Sequence, residues 1–265
     1  MNALATGSLA HREIVRFFRQ RSRVLSALVT PLLFWLLVGS GFAGSFRPAG
    51  APAGQDALEF LFPGMLLMIV LFTAIFATIS IIEDRREGFL QSVLVAPVSR
   101  AGVVLGKMLG GTALALVQVL PVLAVAPLAG LRVAPASLAL AGVALAIVAF
   151  GLTGLGVLIA WRLDTIQGFH AIMNLLLMPM WMLSGALFPA SGAPAWLRAV
   201  MAANPMTYAL GALRRGLYFD SQRRAEVGAG VPAFGLSLAV TAAFAALMFA
   251  LATRQARRTT AGDLQ

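Results

Sequence analysis

Apolar residues in this chain come in long runs, and the runs match the thickness of a bilayer. About 20 consecutive apolar residues carry a helix across the hydrocarbon core. Six runs reach that length: 24–43, 60–82, 109–131, 136–160, 169–188 and 231–252. A helix satisfies its own backbone hydrogen bonds, which is the condition for crossing lipid. The chain is 60% hydrophobic and only 11% charged, against about half apolar and a quarter charged in a soluble domain. We therefore expect an all-α membrane protein of six transmembrane helices. Residues 1–265 form a single domain, with no room for a separate soluble one.

The distribution of Lys and Arg sets an orientation, because basic residues stay on the cytoplasmic side. With the N-terminus inside, segments 1–23, 83–108, 161–168 and 253–265 hold 13 of the 20 basic residues, and the outer segments hold seven. Both termini are expected in the cytoplasm, in a multi-pass protein of the cell inner (plasma) membrane. The net charge of +10 reads as orientation and attraction to anionic lipid, not as nucleic-acid binding. The absence of cysteine excludes disulfides, thiolate zinc sites and iron–sulfur clusters.

Ahead of the first run, Arg12, Arg16, Arg19 and Arg23 fall on one helical face, beside Ile14, Val15, Phe17 and Phe18. Two readings fit: an interfacial amphipathic helix over 1–23, or a plain basic flank.

Between the second and third runs lies the densest charge in the chain: Glu83, Asp84, Arg85, Arg86 and Glu87, then Gly88. Such a cluster is costly in hydrocarbon, so it belongs in water or at the interface. Phe89, Leu90, Val93 and Leu94 then mark one helical face, and Pro97 ends that helix. Arg100 and Lys107 lead into the third run. The pattern predicts a short surface helix held between two spans.

The long segment between the fifth and sixth runs also has a pattern. Trp196, Leu197, Val200 and Met201 form one apolar face. Asn204 has the character of an N-cap, with Pro205 at the first helical position. Met206, Leu210, Leu213 and Leu217 form a second face. Two short helices with a corner at Asn204 are expected, on the outer interface or dipping back into the bundle. Tyr208 is expected at the interface.

Chemistry-bearing groups are few. Gln118, His170 and Asn174 are the polar residues inside spans; they either hydrogen-bond to a neighbouring helix or face a substrate. Met178, Met180 and Met182 cluster near Asn174, and flexible Met side chains suit a variable apolar ligand. Neither histidine, His11 or His170, has a nucleophile or carboxylate at a catalytic spacing. The run from Gly102 to Lys107 has three residues between its glycines where a phosphate loop has four, and Met108 where that loop needs Ser or Thr. No enzyme activity and no cofactor are expected in this chain. Gly102, Gly106 and Gly110, and likewise Gly151, Gly154 and Gly156, form small-residue patches that permit close helix contact. Packing within the bundle and a homodimer contact both fit.

The stretch from Glu83 to Gly111 resembles the central signature of type 2 ABC-transporter permeases. The matching residues are Glu83, Arg85, Arg86, Glu87, Gly88, Pro97, Ser99, Arg100, Gly106 and Lys107. The family pattern has Thr after the glycine, where this chain has Phe89. The run from Asn204 through Pro205, Thr207 and Tyr208 to Arg214 is similar to the family's second signature. The resemblance implies a permease that pairs with a second copy or a related permease. It implies a separate ABC ATPase subunit that binds ATP and magnesium, and a coupling helix after Glu83 that docks on it. The substrate path is then expected between the copies, along the second and fifth spans. An ion-coupled secondary transporter and a non-transporting membrane assembly factor are the alternatives.

Overall fold

The computed structural model describes residues 3–19, 21–42, 57–131, 133–219 and 231–258. Helices dominate, and no strand occurs among the described residues. In chain order they are α1 (Ala3–Arg19), α2 (Arg21–Phe42), α3 (Ala57–Ala77), α4 (Ile79–Arg86), α5 (Phe89–Val95), α6 (Arg100–Ala124), α7 (Pro135–Ala160), α8 (Ile166–Trp181), α9 (Ala195–Ala203), α10 (Pro205–Leu217) and α11 (Phe234–Arg258).

Five stretches among the described residues are long and apolar enough to cross a membrane: Ala57–Arg86, Arg100–Ala124, Pro135–Ala160, Ile166–Ala186 and Phe234–Arg258. The run 24–43 falls in α2, whose apolar part, Leu28–Gly41, is shorter; Ala43 lies outside the described residues. Five of the six expected spans are thus helices of full length among the described residues, and the first is a shorter apolar stretch.

Two boundaries next to the charged cluster differ from the sequence reading. The second span continues through α4, so the charged cluster occupies its last turns. The third span starts at Arg100, because Ser99 caps it: its side chain accepts a hydrogen bond from the Gly102 N–H. Such a cap stabilises a helix by about 1 kcal/mol.

The Ala57–Arg86 helix pair is the centre of the bundle, with 89% of its apolar window buried. Helix α3 is apolar on every side, and a helix of that kind must be surrounded. Helices α2, α6, α7 and α10 pack around it.

The glycine patches are consumed inside the chain. A Cβ at Gly110 would lie 2.7 Å from Glu13 Cβ, and one at Gly106 would lie 2.9 Å from the Thr6 carbonyl oxygen. Helix α1 therefore lies along α6 in a groove that only glycine leaves open. Gly151 meets Phe244 of α11, and Gly156 meets Thr78. Of the two readings of these patches, packing within the bundle is the one the structure adopts. Helix α1 is more than a bare basic flank, since it packs on α6 with Leu9 and Phe17 buried.

The outer segment dips back into the bundle. Helix α10 buries Met206, Leu210, Leu213 and Leu217 against α7 and α11. Helices α8 and α11 are the least covered, with 22% of each apolar window buried.

Candidate functional site

At the charged end, Asp84 is fully buried, at 0% exposure. Three cations converge on it. Arg12 grips the carboxylate with two hydrogen bonds of 3.0 and 2.7 Å. Arg16 Nη1 donates at 2.6 Å, and Lys107 Nζ at 2.5 Å. Lys107 also donates to Glu13 Oε1 at 2.5 Å and to Ser80 Oγ at 3.2 Å. Arg16 Nη2 pairs with Glu83 at 3.1 Å and Glu87 at 2.9 Å. Burial opposes the Arg12 charge, but the hydrogen bond and charge of Asp84 outweigh it and raise the Arg12 pKa.

This arrangement explains how charges sit at the end of a span. A buried ion is costly alone, and removing one partner of a buried pair costs about 3–5 kcal/mol. Here every acid has a cation, and α1 supplies most of them. The cluster ties α1, α4 and α6 together.

The two remaining arginines of the cluster point the other way. Arg85 donates to Asp164 Oδ1 at 2.7 Å and to the Trp161 carbonyl at 2.6 Å. Arg86 donates to the Asp164 carbonyl at 3.1 and 2.9 Å. Both hold the turn between α7 and α8. Charges Glu83 through Glu87 are therefore engaged within the chain. Arg100 makes no ion pair with a described residue, and its Nη1 is buried with no hydrogen-bond partner.

Helix α5 follows Gly88, which takes φ +74, a conformation nearly free for glycine alone. The Phe89 ring lies 3.8 Å beneath the Arg12 guanidinium. Leu90 is buried at 1% exposure and Val95 is 75% exposed. The described residues of the apolar stripe, Phe89, Leu90 and Val93, are thus buried or half-buried. Leu90 faces the bundle, Val93 is half-buried, and Val95 faces outward, as does Pro97 just beyond it. The side chain of Leu94 lies outside the described residues.

At the far end of α3 a second polar set occurs. Asn204 is the N-cap of α10: its side-chain oxygen accepts from the Met206 N–H at 3.0 Å, and Pro205 opens the helix. Its Nδ2 donates to the Met180 carbonyl at 2.6 Å. Arg214 donates to the Gly185 carbonyl at 3.1 Å and the Phe60 carbonyl at 3.4 Å, with its guanidinium 4.3 Å above the Phe60 ring. Burial lowers its pKa to about 10, against the opposing pull of Tyr218, so it stays a cation at neutral pH. Tyr218 donates to Glu59 Oε1 at 2.7 Å. Tyr208 is half-buried and caps the end of α9 through the Ala202 carbonyl at 2.9 Å.

The intraspan polar residues separate. Gln118 accepts from Thr73 at 3.2 Å inside the bundle. His170 packs edge-on against Phe76 at 5.2 Å. Asn174 is exposed on the open face of α8 with Leu175 and Met182, while Met178 and Met180 are half-buried. Within residues 60–82 of the second span, Phe72 and Phe76 are the partly exposed ones.

The sequence reading missed the partners. Arg12, Glu13 and Arg16 belong to the cluster, and their signal was available: a lone Glu13 inside a basic helical stripe calls for a buried cation. Asp164, Glu59 and Tyr218 carried no such signal.

Fold and site together define a multi-pass helical membrane protein whose surface charge is drawn inward to hold helices, with one short exposed helix between spans. A family model described as ABC-2 type transporter matches residues 5–218. The chain belongs to that family of membrane transport permeases. It is 28% identical over 209 residues to a transport permease, ycf38, of Cyanophora paradoxa, covering 78% of this chain and 71% of that one. It is 29% identical over 154 residues to the multidrug ABC transporter permease YbhR of Escherichia coli K12, covering 58% and 42%. It is 24% identical over 257 residues to the daunorubicin resistance ABC transporter permease protein DrrB1 of Streptomyces coeruleorubidus, covering 94% and 85%.

Proposed function

We propose that this chain is the transmembrane permease subunit of an ATP-driven exporter, with both termini in the cytoplasm. A separate ABC ATPase, which binds ATP and magnesium, docks on α5. Two copies, or one copy and a related permease, enclose the substrate path along the open face of α8, at Asn174, Met178 and Met182. The observation that carries this reading is the contrast within residues 83–95. The charges are satisfied inside the chain, while Val95 is 75% exposed on a helix that belongs to no span. Arg100, the first residue of α6, makes no ion pair with a described residue. An exposed Asn on a span also favours a second protein copy over lipid as its cover. Relatives named for multidrug transport and daunorubicin resistance support a drug-like substrate.

The test is purification of the full-length chain from its native membrane. An ATPase with a Walker loop should co-elute, and its hydrolysis should respond to the exported compound. Elution without an ATPase under conditions that preserve related complexes would remove the coupling assignment. Reporters after Gln265 and near Ser221 should lie on opposite sides of the membrane, the first in the cytoplasm.

A further inference from the structure

The fifth span does not run straight to its outer end. Pro179 lies within α8 and removes one helical N–H. The helix then widens to a π-helical turn, Met182–Ala186, in which Gly185 takes φ +92. Carbonyls in such a stretch lose their regular partners, and buried carbonyls need replacements. Two side chains bond here: Asn204, the N-cap of α10, donates to the Met180 carbonyl just before the irregular turn, 2.6 Å, and Arg214 of α10 donates to the Gly185 carbonyl within it, 3.1 Å. Arg214 also reaches the Phe60 carbonyl of α3. Both side chains are buried.

We propose that Asn204 and Arg214 are positioning residues that clamp the outer end of the fifth span in its bent form. Release of the clamp opens that end, where Met178, Met180 and Met182 lie. This rests on the reading of α8 as the substrate path. The clamp itself is a local equilibrium that needs neither substrate nor ATPase. Asn204 does two separable things. Its Oδ1 caps α10, and its Nδ2 holds Met180. Ser caps a helix about as well as Asn but is too short to hold the Met180 carbonyl from the same position. Asn204→Ser therefore removes the clamp contact and keeps the cap.

The chain has no cysteine, so single cysteines report cleanly. Ser184 is buried at 2% exposure within the irregular turn, and Ala149 is buried at 0% in the middle of α7. Full-length chain in membranes permeable from both sides is treated with a bulky water-soluble maleimide. In the Asn204→Ser and Arg214→Gln backgrounds, Ser184→Cys should label roughly tenfold faster, the factor that one lost hydrogen bond of about 1.4 kcal/mol gives. Ala149→Cys should stay protected. Protection of both sites in both backgrounds overturns the clamp. Labelling of both sites means that these residues hold the whole bundle, which also overturns it. If Ser184→Cys opens as expected yet drug crosslinks avoid α8, the clamp stands and the path assignment falls.

Discussion

The two ends of the bundle hold their helices by different chemistry. At the charged end, side chains pair with side chains: three cations on Asp84, with Glu13, Glu83 and Glu87 completing the set. At the far end, beside the Tyr218–Glu59 bond, Asn204 and Arg214 donate to backbone carbonyls at and beside an irregular helical turn. A charge cluster joins whole helices rigidly, because no member can leave without stranding a buried partner. A neutral carbonyl contact such as that of Asn204 is worth about 1 kcal/mol net, so it can break and re-form. The difference places a stiff joint beside α5, where force is proposed to enter, and a yielding one where substrate is proposed to leave.

The comparison breaks most visibly at Asp84. Asp84→Ala leaves Arg12, Arg16 and Lys107 around an empty buried site, and stability should fall by about 3–5 kcal/mol. Thermal unfolding of the detergent-solubilised chain measures this. An unchanged melting temperature would show the cluster is ornamental.

Next comes the groove. Gly110→Ala places a methyl 2.7 Å from Glu13 Cβ. Overpacking of this kind costs about 1–3 kcal/mol, and α1 should lift from α6. Increased proteolysis within Ala3–Arg19 reports it. The far end responds less: Asn204→Ala loses the cap, about 1 kcal/mol, together with the Met180 contact, whereas Asn204→Ser keeps the cap and loses only the contact.

Much of this architecture was legible. Five full-length spans, α5 from Phe89, the Asn204 cap and the Pro205 start all follow from apolar run length and from the special chemistry of proline and cap residues, which act locally. What was not legible depends on distant pairs. Nothing near Asp84 announces that residue 12 or 107 will meet it, and nothing near Gly110 tells α1 from a second copy. Leu90 shares a helical face with Phe89, Val93 and Leu94 in the sequence, but periodicity identifies a shared face and not which neighbour covers it. The same limit applies to Glu87. As a charge beside α5 it invites reversal as a test of partner contact, yet in the structure it is paired with Arg16. Glu87→Arg would disturb α1 first.

Val95 is free of that ambiguity, being 75% exposed and outside the charge cluster. Most surface substitutions change stability by less than about 0.5 kcal/mol, so Val95→Asp should leave the chain inserted and folded. The direct measurement is co-elution of the ATPase with the Val95→Asp chain, alongside drug export from cells that carry it. Loss of both, with the chain present at its normal level and melting temperature, is the expected result. Full export and a normal complex would contradict α5 as the coupling surface.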